Sequence, residues 1–465
     1  MESLARRYEE IAIAAWLLAL WRSERQATGR SQPQRFVDLG CGNGFLTYLL
    51  IEEGHVGWGI DRQRRKIWGE YPAAVSRNAA ATRASGPLTD RCCAEHRANC
   101  YSDVPNRGEI FGQLAKGHGM VAQFDDLLFH GVRPAAEVAI LYPRSSFLWD
   151  SWGAQSGQVC MCCCTSSMVA HSNDYTVEAF GLYTALTTDS NIPVDFIDED
   201  ALLEPEQLAR FKMILITQPN VPTAGQQGLL AWTKAGGTLV TVSNAASADE
   251  FNTPSAIIGD ALGVREENRG RRVFLDEDHE VVAGNGTVQL AGGEPQPFVA
   301  MGVRGAVSLC GGASAKVLGK FADGAPALVE TAVGSGTALR FAWMPGVSYH
   351  FTGRGASTRG LLAQLAARAG VVQAVSVSAA QVEAPLLLSE HGAVLTLLNF
   401  RSSTQPPPPV EDLAVNVALP FEPRSVESAE HAALNFTATP SGNGSFAVRF
   451  RLPLLAFGDM VALAG

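Results

Sequence analysis

The sequence has no apolar run as long as a membrane-spanning helix, which needs ~20 residues. Its densest apolar stretch covers only residues 11–21. Glu2, Glu9 and Glu10 precede that stretch, the reverse of the positive start of a signal peptide, so a buried helix in an intracellular protein is expected. Positive charge is also scarce: 36 Lys and Arg stand against 46 Asp and Glu, a net charge of −10. That balance excludes a basic RNA-binding face spread over the whole chain and leaves room for a local one. The nine cysteines are odd in number and unevenly spaced, with Cys162, Cys163 and Cys164 adjacent, which excludes a regular disulfide framework. Cys92, Cys93, His96 and Cys100 lack a second ligand pair at zinc spacing. Free thiols are favoured there, and no metal site is expected. No internal repeat of solenoid period occurs.

What is present divides by texture. At 465 residues the chain is long enough for about three domains. Residues 1–72 are densely patterned, and residues 73–133 form an irregular linker with one strand candidate at 120–129. Residues 134–370 alternate strand-like and helix-like runs. Residues 375–465 read as short strands broken by turns.

The first stretch carries a chemical motif. Residues 8–21 are apolar around most of a helix and should pack deeply. Residues 35–39 form a short strand, 40–44 a glycine turn, 45–53 a helix with Gly54 as its stop, and 55–60 a second strand that ends at Asp61. Gly40, Gly42 and Gly44 let the backbone approach a ligand closely. The following helix offers free N–H groups at its start. Asp61, about 20 residues after the turn, suits the two hydroxyls of a ribose. The turn is G-x-G-x-G rather than the G-x-G-x-x-G that cradles a dinucleotide pyrophosphate. With Asp38 in front, it suits a cofactor without phosphate.

Asp38-Leu39-Gly40-Cys41-Gly42-Asn43-Gly44 resembles motif I of class I methyltransferases. The series extends through Tyr8-Glu9-Glu10, Leu20-Trp21, Glu53-Gly54-His55, Gly59-Ile60-Asp61, Arg64-Arg65-Lys66-Ile67-Trp68 and Tyr71-Pro72. Over residues 7–72 this is similar to the tRNA(Ser) uridine-44 2′-O-methyltransferase family. The resemblance implies a partial class I (Rossmann-like) methyltransferase segment, S-adenosyl-L-methionine as cofactor, serine tRNA as substrate and a cytoplasmic location. It implies cofactor contacts from Asp38, Gly40, Cys41, Gly42, Asn43, Gly44 and Asp61. The basic run Arg62, Arg64, Arg65 and Lys66 reads either as an RNA-phosphate contact or as a solvated helix start. Trp68 reads as core more readily than as an adenine contact. No residue is assigned as catalytic base.

Strand-like runs at 137–142, 192–197, 212–216 and 238–242 alternate with helical runs at 179–187 and 225–234. A parallel sheet covered by helices on both faces is expected. Phe147-Leu148-Trp149-Asp150, Gly181-Leu182-Tyr183, Pro193-Val194-Asp195-Phe196 and Ala235-Gly236-Gly237-Thr238 resemble the glutamine-amidotransferase-like domain that follows the catalytic barrel of many β-galactosidases. That resemblance implies a flavodoxin/amidotransferase-like parallel α/β domain over 134–370, with homo-oligomer assembly. Ser243-Asn244 follows the strand where a true amidotransferase needs a nucleophilic cysteine, so no catalysis is expected there. Asp195, Asp198, Glu199 and Asp200 read as a solvated acidic loop rather than a glycosidase pair. Period-two alternation at 394–398 and 447–450 predicts a small C-terminal β-sandwich over 375–465. Two functions follow: a tRNA methyltransferase, or a non-catalytic assembly or carbohydrate-associated module.

Overall fold

The computed structural model describes residues 35–39, 56–60, 117–153, 174–267, 282–290, 293–310, 314–353, 355–402, 407–442 and 444–465. They fall into two compact units. One comprises residues 1–88, 95–134 and 377–465; the other comprises 89–94 and 135–376.

In the first unit, β1 (Arg35–Leu39) and β2 (Val56–Ile60) pair in parallel, with Asp38 opposite Gly59 and Leu39 opposite Ile60. Two adjacent parallel strands need a crossover between them, and the glycine turn and helical run of the sequence occupy that connection. The strand candidate at 120–129 is instead helical: residues 117–123 are helical, and α1 (Asp125–Phe129) follows after a break at Phe124. The reason is tertiary. Met120, Val121, Phe124, Leu127 and Leu128 recur at helical spacing and pack against Leu387, Val394, Met460 and Ala462. Just beyond, Val132 and Leu388 exchange both backbone hydrogen bonds, at 2.7 and 2.9 Å. The C-terminal strands form antiparallel pairs. Gly392–Asn399 lies between Leu386–Ser389 and Gly458–Ala464. Val410–Leu419 pairs with Ser445–Leu455, which pairs with Phe436–Gly442.

The second unit opens with β3 (Val138–Leu141), α2 (Arg144–Gly153), α3 (Asp174–Thr184) and β4 (Val194–Ile197). Next come α4 (Pro205–Leu208), β5 (Met213–Ile216), α5 (Thr223–Lys234), β6 (Thr238–Thr241), α6 (Ile257–Leu262) and β7 (Val264–Glu266). After these follow β8 (Val282–Val288), β9 (Gln296–Met301), β10 (Val307–Leu309), β11 (Lys316–Phe321), β12 (Pro326–Val333), β13 (Gly336–Phe341), α7 (Pro345–Phe351) and α8 (Ala356–Arg368).

The expected parallel sheet is only half of what forms. Nine strands join in the order β4-β3-β5-β6-β13-β12-β11-β8-β9. The first five run parallel, and β12, β11, β8 and β9 extend the sheet antiparallel. The central parallel strands β3 and β5 are buried throughout, because helices cover them, while Phe196 on edge strand β4 is exposed. The antiparallel strands show partial exposure, as the alternation along Lys316–Phe321 shows. The core is one continuous cluster that includes Trp343, stacked on Phe298 with ring centroids 4.1 Å apart. Helices α3 and α7 cross at glycines. A Cβ on Gly181 would lie 2.1 Å from the Gly346 carbonyl oxygen, and one on Gly346 would lie 2.2 Å from that of Glu178. Only glycine permits that approach.

Candidate functional site

Two sites emerge, each at the carboxyl end of parallel strands, where open α/β sheets bind ligands. The first is the edge of β1 and β2. Asp38 is the next-to-last residue of β1, and Asp61 directly follows the last residue of β2. The parallel register puts Asp38 near the carboxyl edge of the pair. Gly40, Cys41, Gly42, Asn43, Gly44, Asp61, Arg62, Arg64, Arg65 and Lys66 themselves lie outside the described residues, as does the Cys92–Cys100 cluster. Among the described residues no group of three or more His, Cys, Asp and Glu could hold a metal.

The second edge belongs to the large sheet. The acidic loop after β4 is not a solvated loop throughout, which corrects the sequence expectation. Glu199 is 2% exposed and accepts hydrogen bonds from the Ser145 N–H at 2.8 Å and the Ser145 hydroxyl at 2.5 Å. It thereby satisfies a free N–H at the start of α2. Burial pushes the Glu199 carboxyl up, against the pull of these donors and of Arg144. Asp200 remains exposed and forms a two-bond fork with Arg144, at 2.7 Å each. That contact holds the Asp200 carboxyl below its ordinary range. Asp195 pairs with Arg210 at 2.7 Å. All four acids are thus engaged within the fold: Glu199 and Asp200 at the start of α2, Asp195 with Arg210, and Asp198 accepting from the Ala201 N–H at 2.9 Å.

After β6 the chain turns sharply through residues 243–247, with φ of 64° at Asn244 and 52° at Ala246. A carboxylate from β7 plugs this turn. Glu266 accepts from the Ser243 hydroxyl, from the Asn244 N–H at 3.1–3.2 Å and from Arg340 Nη2 at 2.8 Å. Arg340 also donates to the Ala245 carbonyl at 2.9 Å. A cleft of about 330 Å³ opens beside the turn, lined by Asn244, Ser247, Arg265, Glu266 and Arg340 among others. Ser243 is buried and bound to a carboxylate, and no cysteine or histidine lines the cleft. At this turn a buried serine held by a carboxylate stands where acyl transfer would need a free nucleophile beside a base.

Glu178, on α3, is a further buried acid that sequence reasoning missed. It is fully buried, and its Oε2 accepts from the Val347 N–H at 2.8 Å. Its Oε1 has no partner. Burial pushes its carboxyl up to about 8. A neutral acid is the cheaper state for a carboxyl so enclosed. The charge inside the apolar run Leu339-Arg340-Phe341 was the one sequence signal of the Glu266–Arg340 pair. Nothing comparable marks Glu178.

The fold of the described residues is therefore mixed α/β: a large mixed sheet with further antiparallel sheets. Its N-terminal segment is similar to a particular enzyme group. Residues 2–83 match the profile of a family described as predicted AdoMet-dependent methyltransferase, a family whose methyl donor is S-adenosyl-L-methionine. A probable tRNA (uracil-O(2)-)-methyltransferase of Mus musculus is 58% identical over 64 residues, 14% of this chain and 9% of that protein. The tRNA (uracil-O(2)-)-methyltransferase of Kluyveromyces lactis is 51% identical over 70 residues, 15% of this chain and 13% of its own length. The chain thus spans about a tenth of the curated relatives it matches. Among solved structures, α-L-fucosidase isoenzyme 2 from Paenibacillus thiaminolyticus aligns over 95% of this chain and 66% of its own, with TM-score 0.54 and 15% identity. That likeness is one of fold. A β-galactosidase from Bacillus circulans sp. alkalophilus aligns over 76% of this chain and 45% of its own, with TM-score 0.49 and 16% identity.

Proposed function

We propose that this chain is an S-adenosyl-L-methionine-dependent tRNA (uracil-2′-O-)-methyltransferase, acting on a ribose hydroxyl of serine tRNA in the cytoplasm. The observation that carries the reading is the parallel pairing of β1 and β2, the strands that bound the glycine motif in the sequence. The similarity of residues 2–83 to AdoMet-dependent methyltransferases supports it.

The residues fit the cofactor. Asp61 would accept hydrogen bonds from the two ribose hydroxyls, and Asp38 would sit near the cationic amino group. Gly40, Gly42 and Gly44, with Cys41 and Asn43 between them, would shape the turn around the methionine and ribose portions. When bound, the cofactor supplies an electrophilic sulfonium methyl. The protein's part is to align the attacking ribose oxygen with it and to exclude competing water. Arg62, Arg64, Arg65 and Lys66, a compact basic run in an acidic chain, would contact tRNA phosphates. Among the described residues no helix is long and apolar enough to cross a membrane.

A second reading is a non-catalytic assembly or carbohydrate-associated module, in which the unit of residues 135–376 forms a homo-oligomer. The fold likeness to α-L-fucosidase isoenzyme 2, over nearly the whole chain, favours it. Calorimetric titration of the full chain with S-adenosyl-L-methionine separates the two. Micromolar binding that Asp61→Ala abolishes supports the methyltransferase, and methyl transfer to serine tRNA then tests the substrate. No binding by the full chain rejects it and leaves the second reading.

A further inference from the structure

In the parallel pair of β1 and β2, residues at one register position share a face of the sheet, and neighbours along each strand alternate between faces. One face carries Arg35, Val37 and Leu39 from β1 with Val56, Trp58 and Ile60 from β2. The other carries Phe36 and Asp38 from β1, opposite Gly57 and Gly59. Every β2 position on this second face is therefore glycine. There β2 offers bare backbone beside Phe36 and Asp38, whereas the first face has a side chain at every position.

Glycine inside a strand has a cost. It loses more backbone freedom on folding than any other residue and brings no side chain to pack. Where it stands in a strand it marks a bulge, the close approach of another backbone, or the close approach of a ligand. The unbroken register from Arg35 opposite Val56 to Leu39 opposite Ile60 excludes a bulge between these strands. The two remaining explanations divide by position along β2. Gly57 is its second residue, at the end away from the ligand edge, where only another part of the chain would come close. Gly59 is its next-to-last residue, at the carboxyl end where parallel α/β sheets hold their ligands. Gly59 also stands directly opposite Asp38, the acid that opens the glycine motif.

We propose that Gly59 is a cofactor-binding residue. Its bare backbone keeps open the space beside Asp38 in which the nucleoside part of S-adenosyl-L-methionine settles, and any Cβ at this position narrows that space. Gly57 serves packing instead. The inference rests on the methyltransferase reading and adds to it a residue outside the glycine turn and its flanking acids.

The test is calorimetric titration with S-adenosyl-L-methionine of the full chain and of its Gly59→Ala, Gly59→Val and Gly57→Ala variants. Hydrogen–deuterium exchange of the ligand-free proteins reports the local stability of β2. The expected result is binding weakened at least about tenfold, or about 1.4 kcal/mol, by Gly59→Ala and abolished by Gly59→Val. Protection of the β2 amides should stay level or rise in both, because a strand position that faces open space gains from a side chain. Gly57→Ala should leave the affinity unchanged and lower the protection, since its Cβ would press on a neighbouring part of the chain. Gly59→Ala that binds as tightly as the unaltered chain overturns the proposal. So do Gly59 variants that lose β2 protection together with binding, which would make Gly59 a packing residue. In both cases the unaltered chain still binds, so the methyltransferase reading stands. No binding by the unaltered chain rejects that reading, and this inference with it.

Discussion

The N-terminal segment and the large mixed sheet divide the molecule's information unequally. In the first, a few residues of specific chemistry stand on two five-residue strands. In the second, nine strands and one continuous core carry almost no catalytic chemistry. The difference teaches that a sharp motif and a large core report different things. The motif reports what is bound, and the core reports what keeps its shape.

Substitutions can break that division or sharpen it. The largest stability effect is expected from Trp343→Ala. It empties the center of the stacked Phe298, Phe321 and Phe341 cluster and should cost about 3–5 kcal/mol in urea unfolding. Gly346→Val comes next. Its Cβ would press on the Glu178 carbonyl, and about 1–3 kcal/mol is expected, read as a lower unfolding midpoint. If the two regions are independent, both variants still bind S-adenosyl-L-methionine at temperatures where they remain folded. Loss of binding by the folded proteins would end the comparison.

Glu178→Gln probes the large unit through pH. The Glu178 carboxyl titrates near 8 when folded, against an ordinary 4.5. Its raised value means the folded state holds the proton more tightly than the unfolded one. Stability from this group is therefore full below pH 4.5, falls as pH rises toward 8, and is flat above. Glu178→Gln should flatten the decline between pH 4.5 and 8 and stabilise the protein at pH 8, by an amount on the order of a few kcal/mol. Unfolding curves across that range, for both proteins, measure it. An unaltered slope would mean that Glu178 is ionised in the folded state.

Asp61→Ala should show the converse pattern: cofactor binding lost, with the main unfolding transition unmoved. The smallest effect is expected from Asp200→Asn. The Asp200–Arg144 fork is exposed, and surface ion pairs contribute little. Its melting temperature should lie within about a degree of the unaltered protein's. A large drop would show that the fork, and not Glu199, fixes the start of α2.

Residue patterns alone exposed the parallel half of the sheet, because fully buried strands between helices read as short apolar runs. Val138–Leu141 and Met213–Ile216 are examples. They also exposed the strands β1 and β2, since short apolar runs are local features. They missed the antiparallel extension through β12, β11, β8 and β9, where partial burial blurs the alternation. They took residues 120–129 for a strand, because the apolar content was visible but the surface that selects helical spacing was not. That surface is made by Leu387, Val394, Met460 and Ala462, far along the chain.

The sequence by itself determined the short buried strands of the parallel half and the residue types at the glycine motif and after β6, since each depends only on neighbours along the chain. Tertiary structure decided which distant charges meet. Glu266 joins Arg340 across 74 positions, and Glu178 reaches the Val347 N–H across 169. Periodicity records that a side chain will be buried. Only the packing of whole elements supplies the partner that makes a buried charge tolerable, and at Arg340 Nε it leaves one donor over.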